Sequence, residues 1–507
     1  MAQHHTPTAV RRSDTLADIL AWLAAPAPAD FREDPPRLSV QLAVLDQAPI
    51  DTVHYHRVLD LFYDRTHRLS RTMKAALADA SLPLPRELRQ FVVTLIDIHG
   101  RIAAGYERVL RDSGDTLSHN KRRNPGIVAA RALSCLEEQF AASCMIAAPA
   151  PAESWRRAHG LAKVAREHFE PEATVIPGLK VDADKIYKSM LALAAAQPEG
   201  FSPGEIALAG DYLAQFSAAV ELAPAGPAQG ADGDYWVDAA RDSGPVPPNR
   251  RIPPQHGELL HCSFQRLARL LGEQIAALEA GMPAGNLRLP EHAAGLAGRA
   301  ALKRLQAHWL APPQRKFSRR HNNYRARLCI GLSDLWELLE RGDTPEDLRA
   351  GTPHTTEWMV LNEGPGGVAV MHVAGEVEGL APGNPVALRQ SEDKPWSICV
   401  VRWIKSENPE HIELGLELVA PAARSVQLLF RNGDPGQRPT PGLLLPAIPA
   451  LRQHAAIMAP SGVYSARRFF IVSGDQRTHV MQGRLLSLDV QTGSVEMFQF
   501  EPDPYPR

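Results

Sequence analysis

The chain is poor in the residues that announce most chemistries. Its 507 residues include only five cysteines: Cys135, Cys144, Cys262, Cys329 and Cys399. They are scattered, odd in number and form no Cys-x-x-Cys pair. That argues against a disulfide framework, a zinc ribbon and a redox dithiol, and it fits reduced thiols in a cytoplasm. Nowhere do about 18 apolar residues run uninterrupted, and Met1 to Asp14 lacks a continuous apolar stretch, so the expectation is neither export nor membrane insertion. Net charge is only -2. A chain so balanced has no global field for a nucleic-acid polymer, and any anion site must come from local clustering. No Gly-x-Ser-x-Gly elbow, Walker-type phosphate loop or His-Glu-x-x-His helix occurs, so the expectation is a binding protein with no catalytic residues, no cofactor and no metal. His54 and His56 lie two apart, a spacing that does not share a helix face, and are expected as a surface pair.

What is present divides into a helical half and a β-rich half, and the length suggests roughly three or four compact units. From Leu16 to about Leu222 apolar residues recur at three- and four-residue spacing. In Val53 to Leu77, Val58, Leu59, Phe62 and Leu69 alternate with Asp60, Asp64 and Arg65, a helix with one buried stripe. Further helices are expected over Pro85 to Arg111, Pro125 to Ala147, Ala152 to Phe169, Asp182 to Ala196 and Ser202 to Leu222. Ser202, Pro203 and Glu205 spell an N-cap, a first-turn proline and a capping-box partner. Residues 1–222 therefore read as an α-helical bundle or an irregular solenoid, with a surface for a protein partner. Residues 223–234, rich in Pro, Gly and Ala, read as a linker and a domain boundary.

Residues 235–312 read as a small mixed α/β unit, with strands at Tyr235 to Asp238 and Leu259 to Ser263 and helices at Phe264 to Ala280 and His292 to Leu310. From 313 to 420 the texture becomes that of a small β-barrel. Glu413 to Leu418 alternates leucine and glutamate in the period-two pattern of a half-buried strand, and in Trp396 to Trp403 the residues Cys399, Val401 and Trp403 are expected on one face. A helical-looking stretch, Ser333 to Arg349, is inserted there. Residues 421–507 form a C-terminal β-rich module, with strands at Arg468 to Val472, Arg484 to Leu488 and Val495 to Phe500.

The best candidate for chemistry lies at the start of the barrel. Between Pro312 and Ser333 stand Arg315, Lys316, Arg319, Arg320, Arg325 and Arg327, with no acid among them. Guanidinium forks can grip phosphate oxygens or the O6 and N7 edge of guanine in pairs and stack on a purine. The bland alternative is a solvated edge strand guarded by charge. Downstream, Asn362-Glu-Gly364-Pro-Gly-Gly367 offers an amide and glycines that let backbone N-H groups approach an anion.

Arg315-x-x-x-Arg319, then a strand near Ala326 to Leu332, then Asn362-x-Gly364-x-x-Gly367, then further strands, resembles the PilZ family in sequence order over about Gln314 to Val419. The resemblance implies a six-stranded barrel that typically binds cyclic di-GMP. It places Arg315 and Arg319 at the family's two motif arginines, Arg320 beside them, Asn362 at the acidic-or-amide position and Gly367 at the final glycine. Gly364 stands where the family usually has serine. Two functions follow: a cytoplasmic cyclic di-GMP effector whose helical region contacts a protein partner, or a ligand-free scaffold acting only through protein interactions.

Overall fold

The computed structural model describes residues 12–113, 124–168, 182–224, 232–254, 256–312, 318–341, 354–408, 410–430, 439–449, 452–464, 468–473 and 479–503. Eight helices come first: α1 (Arg12–Ala24), α2 (Asp34–Gln47), α3 (Thr52–Leu77), α4 (Arg86–Ser113), α5 (Pro125–Met145), α6 (Ser154–Glu167), α7 (Ala183–Ala195) and α8 (Pro203–Phe216). Their starts are written locally. The Asp51 carboxylate accepts from the Val53 and His54 N-H groups ahead of α3. At α8 the Ser202 hydroxyl accepts from Glu205 N-H while the Glu205 carboxylate accepts from Ser202 N-H, at 3.3 and 2.9 Å.

Helix α5 decides between bundle and solenoid. Every residue from Val128 to Leu136 is buried, and α5 packs on α3, α4, α6, α7 and α8. A solenoid repeat meets only its neighbours, so this is a bundle around a central helix. Helix α3 also corrects the histidine pair. His54 turns out to Asp51 at 2.6 Å, but His56 is only 5% exposed and sits edge-on to Tyr106. The spacing that keeps the two off one face sends the second into the core.

Three strands follow, β1 (Glu221–Pro224), β2 (Asp234–Asp238) and β3 (Leu259–Ser263), in the antiparallel order β1-β3-β2, with α9 (Gln265–Glu279) and α10 (Leu296–Leu310) behind them. The expected linker meets a different arrangement. Strand β1 precedes residues 225–231, which lie outside the described residues, while β2 and β3 follow them, so one sheet crosses the segment. Fully buried Trp309 on α10 donates its indole N-H to Ala192 O of α7 at 2.8 Å. The elements on either side of that segment thus pack together.

The β-rich half is two closed six-stranded antiparallel barrels. The first is built from β4 (Arg320–Ile330), β5 (Thr355–Gly364), β6 (Gly367–Ala374), β7 (Pro385–Arg389), β8 (Ser397–Asn408) and β9 (His411–Ala420), in the order β4-β5-β6-β9-β8-β7. The second uses β10 (Arg424–Phe430), β11 (Thr440–Leu445), β12 (Ala456–Pro460), β13 (Arg468–Ser473), β14 (His479–Gln491) and β15 (Val495–Pro502), in the order β10-β11-β12-β15-β14-β13. Its interior holds Val426, Leu428, Ile457, Phe469, Phe498 and Phe500.

In β8 the strict alternation fails at a bulge between Val401 and Trp403. Cys399, Val401 and Ile404 pack with the first barrel's core, while Trp403 is turned against Gly415, where any Cβ would meet its indole nitrogen at 1.9 Å. Helix α11 (Leu332–Arg341) carries the first part of the expected insertion, and residues 342–349 of it lie outside the described residues. It seals the joint between barrels: Leu335 is fully buried there with Trp396, Ile398, Val400 and Leu443, and Trp336 donates to Val426 O at 2.9 Å.

Two buried arginines lock the joints. Arg89 of α4, 5% exposed, donates to Ser406 O of β8 at 2.8 Å and to Ile146 O at 3.3 Å. Leu82 and Leu380 exchange backbone hydrogen bonds beside it, at 2.8 and 2.9 Å. Arg452, 6% exposed, donates to Val419 O of β9 at 3.0 Å and, through Nε and Nη2, to Pro446 O at 3.2 and 3.0 Å. Burial lowers the pKa of both groups. Among the described residues no helix is long and apolar enough to cross a membrane.

Removing either guanidinium strands buried carbonyls without a donor. Arg89→Met and Arg452→Met are each expected to lower stability by about 1.5 to 3 kcal/mol, read from urea unfolding, whereas an exposed control, Arg86→Met, leaves the midpoint unmoved.

Candidate functional site

The hairpin of β5 and β6 forms the corner of the first barrel. Gly364 pairs with Gly367 across Pro365 and Gly366, giving a two-residue turn. Gly367 has φ +149°, and a Cβ there would lie 2.0 Å from Leu416 O on β9. No side chain fits, so the glycine is required by both conformation and space.

Gly364 is required for a different reason. A Cβ at this position would meet Ser318 O at 2.8 Å and Arg319 Cγ at 3.4 Å. The segment leading into β4 therefore lies across the turn. The Ser318 carbonyl fills the space that a side chain at 364 would need.

This crossing brings the two halves of the expected site together. Arg319 donates from Nη1 to Asn362 Oδ1 at 2.9 Å, with both side chains half-buried. Arg320 is exposed at the first position of β4, in register with Glu363, and His321 is in register with Asn362. Arg319, Arg320, Asn362, Gly364 and Gly367 thus gather at one end of the barrel. Arg315, the other motif arginine, and Lys316 lie outside the described residues.

The rest of the basic cluster serves the barrel wall. Arg325 pairs with Glu357 at 3.0 Å, and Arg327 donates to Thr355 Oγ1 at 2.8 Å, both on the neighbouring strand β5. Strand β4 is bonded to β5 along its length but to β7 only over Arg327 to Ile330, so Arg320 and Arg325 lie on a stretch paired on one side, as the charged-edge alternative expects.

Three polar residues beside the corner were not anticipated from the sequence. Tyr324 donates its hydroxyl to Glu363 Oε2, and Gln390 Nε2 reaches Tyr324 Oη at 2.8 Å and Glu363 Oε2 at 3.4 Å. Lys394 in turn donates to Gln390 Oε1 at 2.7 Å. Burial, together with the Glu363 carboxylate, raises the Tyr324 pKa. The network occupies the one acid in the motif with donors, which limits its repulsion of an anion at the corner. Glu363 could be suspected from its place beside Asn362, but Gln390 comes from the bend just after β7 with no local signal.

Chemically, the corner offers guanidinium forks, an amide and glycine-flanked backbone at one mouth, the donor set for a phosphate-bearing guest. Among the described residues it contains no arranged nucleophile and base.

Comparison with known proteins gives three consecutive matches. Residues 17–227 match the family described as Cyclic-di-GMP receptor FimW, N-terminal domain, residues 340–425 its middle PilZ domain, and residues 425–503 the FimW C-terminal beta-barrel domain. The chain is also 23% identical, over 562 aligned positions covering 96% of it and 90% of the relative, to the Cyclic-di-GMP receptor FimW of Pseudomonas aeruginosa strain PAO1. The middle match contains Asn362, Gly364 and Gly367 and begins beyond Arg319 and Arg320.

Gly367→Ala is expected to destabilise the protein by about 3 kcal/mol, read by thermal unfolding, because neither the conformation nor Leu416 O can yield. Gly364→Ser is expected to leave the barrel folded and to break the contact between Arg319 and Asn362, checked by a crystal structure of the variant.

Proposed function

We propose that this chain, a multidomain protein carrying a PilZ domain between a helical domain and a second barrel, is a cytoplasmic cyclic di-GMP effector. The ligand site is the corner where Arg319 meets Asn362. Arg315, Arg319 and Arg320 grip the phosphates and guanine edges, Asn362 bonds a base, and Gly364 and Gly367 admit the ring close to the backbone. The observation that carries this reading is the Arg319 to Asn362 hydrogen bond, because it holds the arginine segment over the glycine turn before any guest arrives. The matched relative's description as a cyclic di-GMP receptor supports the same ligand. The reading is of a binding protein, with the ligand itself as signal.

Binding reorients the arginine segment, and the signal passes to the helical bundle through the seat formed by Arg89 and the Leu82 to Leu380 pairing. Such a switch requires the ligand to prefer one arrangement of that joint. The bundle then engages a protein partner. Val40 and Val44, one turn apart on α2 and 62% and 38% exposed, favour that face.

Titration calorimetry with cyclic di-GMP tests the proposal. Arg315→Ala combined with Arg319→Ala removes two charge-assisted contacts and is expected to weaken binding at least about 100-fold, with the melting temperature held within about 2 °C. Unaltered affinity in the double variant overturns the assigned clamp. No heat from the unaltered protein at high micromolar ligand favours the ligand-free scaffold, which Gly364 in place of serine would suit.

A further inference from the structure

The helical bundle contains a polar cluster that the cyclic di-GMP reading does not use. Where α3, α4 and α5 meet, one ring nitrogen each of His67 and His99 and the Cys135 thiol sulfur lie within 4.8 Å of one another. His99 and Cys135 have no solvent exposure, and His67 is half-buried. Three long helices bring these residues together from positions far apart in sequence, so no spacing motif announces them.

The hydrogen bonds set the histidines up as ligands. His67 Nδ1 lies 3.0 Å from Tyr63 O. A carbonyl only accepts, so the proton is on Nδ1 and the Nε2 lone pair is presented, where it takes the Ser134 hydroxyl at 3.0 Å. A backbone carbonyl holding the distal N-H is the usual outer partner of a metal-bound imidazole. His99 contacts Ser70 Oγ through Nε2 at 2.7 Å, and its buried Nδ1 has no hydrogen-bond partner. An orphaned nitrogen at zero exposure is a cost that a ligand would relieve. Glu138 stands next to the group: its Oε1 accepts from Lys74 at 2.8 Å, while its buried Oε2 is also without a partner.

Burial disfavours the protonated form of both imidazoles. Burial also raises the Cys135 thiol well above its ordinary value, and a metal would have to displace that proton.

We propose that His67, His99 and Cys135 form a site for a borderline-soft divalent metal, zinc by preference, that staples α3, α4 and α5, with Glu138 completing or flanking the coordination. Two nitrogens and one sulfur are a donor set that zinc accepts, and tetrahedral bond lengths place such ligands about 3.3 to 3.8 Å apart. The ligand atoms, now within 4.8 Å of one another, close to that range on binding, and the Ser134 hydroxyl gives up Nε2. Binding forms a metal-thiolate bond at Cys135, and the thiol proton leaves to solvent or to Glu138. No electron transfer is involved.

The test uses the full-length protein, stripped with a chelator, reloaded with Co²⁺ or Zn²⁺ and passed through gel filtration. About one metal per chain should be retained. Co²⁺ should show a thiolate-to-metal charge-transfer band, and Zn²⁺ should raise the melting temperature. Cys135→Ser and His99→Gln should each cut retention at least about tenfold. X-ray absorption at the zinc edge of the unaltered protein should read one sulfur among the ligands, which keeps the test meaningful if a variant fails to fold. No retention by the unaltered protein, retention unchanged in either variant, or a metal environment without sulfur each overturns the proposal.

Discussion

A buried guanidinium that must find carbonyl oxygens on both sides of a joint is the constraint on which this molecule's shape depends. Arg89 satisfies the end of α5 and a strand of the first barrel at once, and Arg452 does the same between the barrels. Among the described residues neither meets a carboxylate. The charge is held where burial disfavours it, and correctly placed carbonyls compensate, with the field of the Asp489 carboxylate adding to them at Arg452. A loose joint would leave both arginine and backbone unsatisfied, so any arrangement of helical bundle and barrels must supply these two guanidiniums with carbonyls.

Geometry matters as well at the corner where Arg319 crosses Gly364. The barrel supplies a fixed wall, since β5 is paired with β4 and β6 and Gly367 is wedged against Leu416 O. Beside that wall, the ladder of Tyr324, Glu363 and Gln390 keeps the acid next to Asn362 engaged with donors.

Much of this was legible in the sequence because local rules and global packing agree. The capping motif at Ser202 marks a helix start that the structure keeps, and the alternation in Glu413 to Leu418 marks β9. Legibility ended where tertiary contacts override local pattern. A bulge in β8 moved Trp403 off the face that strict alternation gave it, because Gly415 opens room on the other side. A Pro- and Gly-rich stretch read as a boundary is spanned by a sheet, because β3 pairs with strands on both sides of it. Arg319 and Asn362 could be matched by motif order, but the reason for glycine at 364 is a steric contact with Ser318 O that no linear pattern encodes. The cluster of His67, His99 and Cys135 was invisible for the same reason: its members share a place, not a spacing.

The three-stranded sheet has a topological consequence. Because β3 lies between β1 and β2 and bonds to each, the polypeptide is held together across residues 225–231 by main-chain pairing as well as by its covalent thread. Scission within that stretch would leave two fragments that remain a non-covalent heterodimer, and the same stretch is a natural place to tether a reporter or to divide the gene for co-expression.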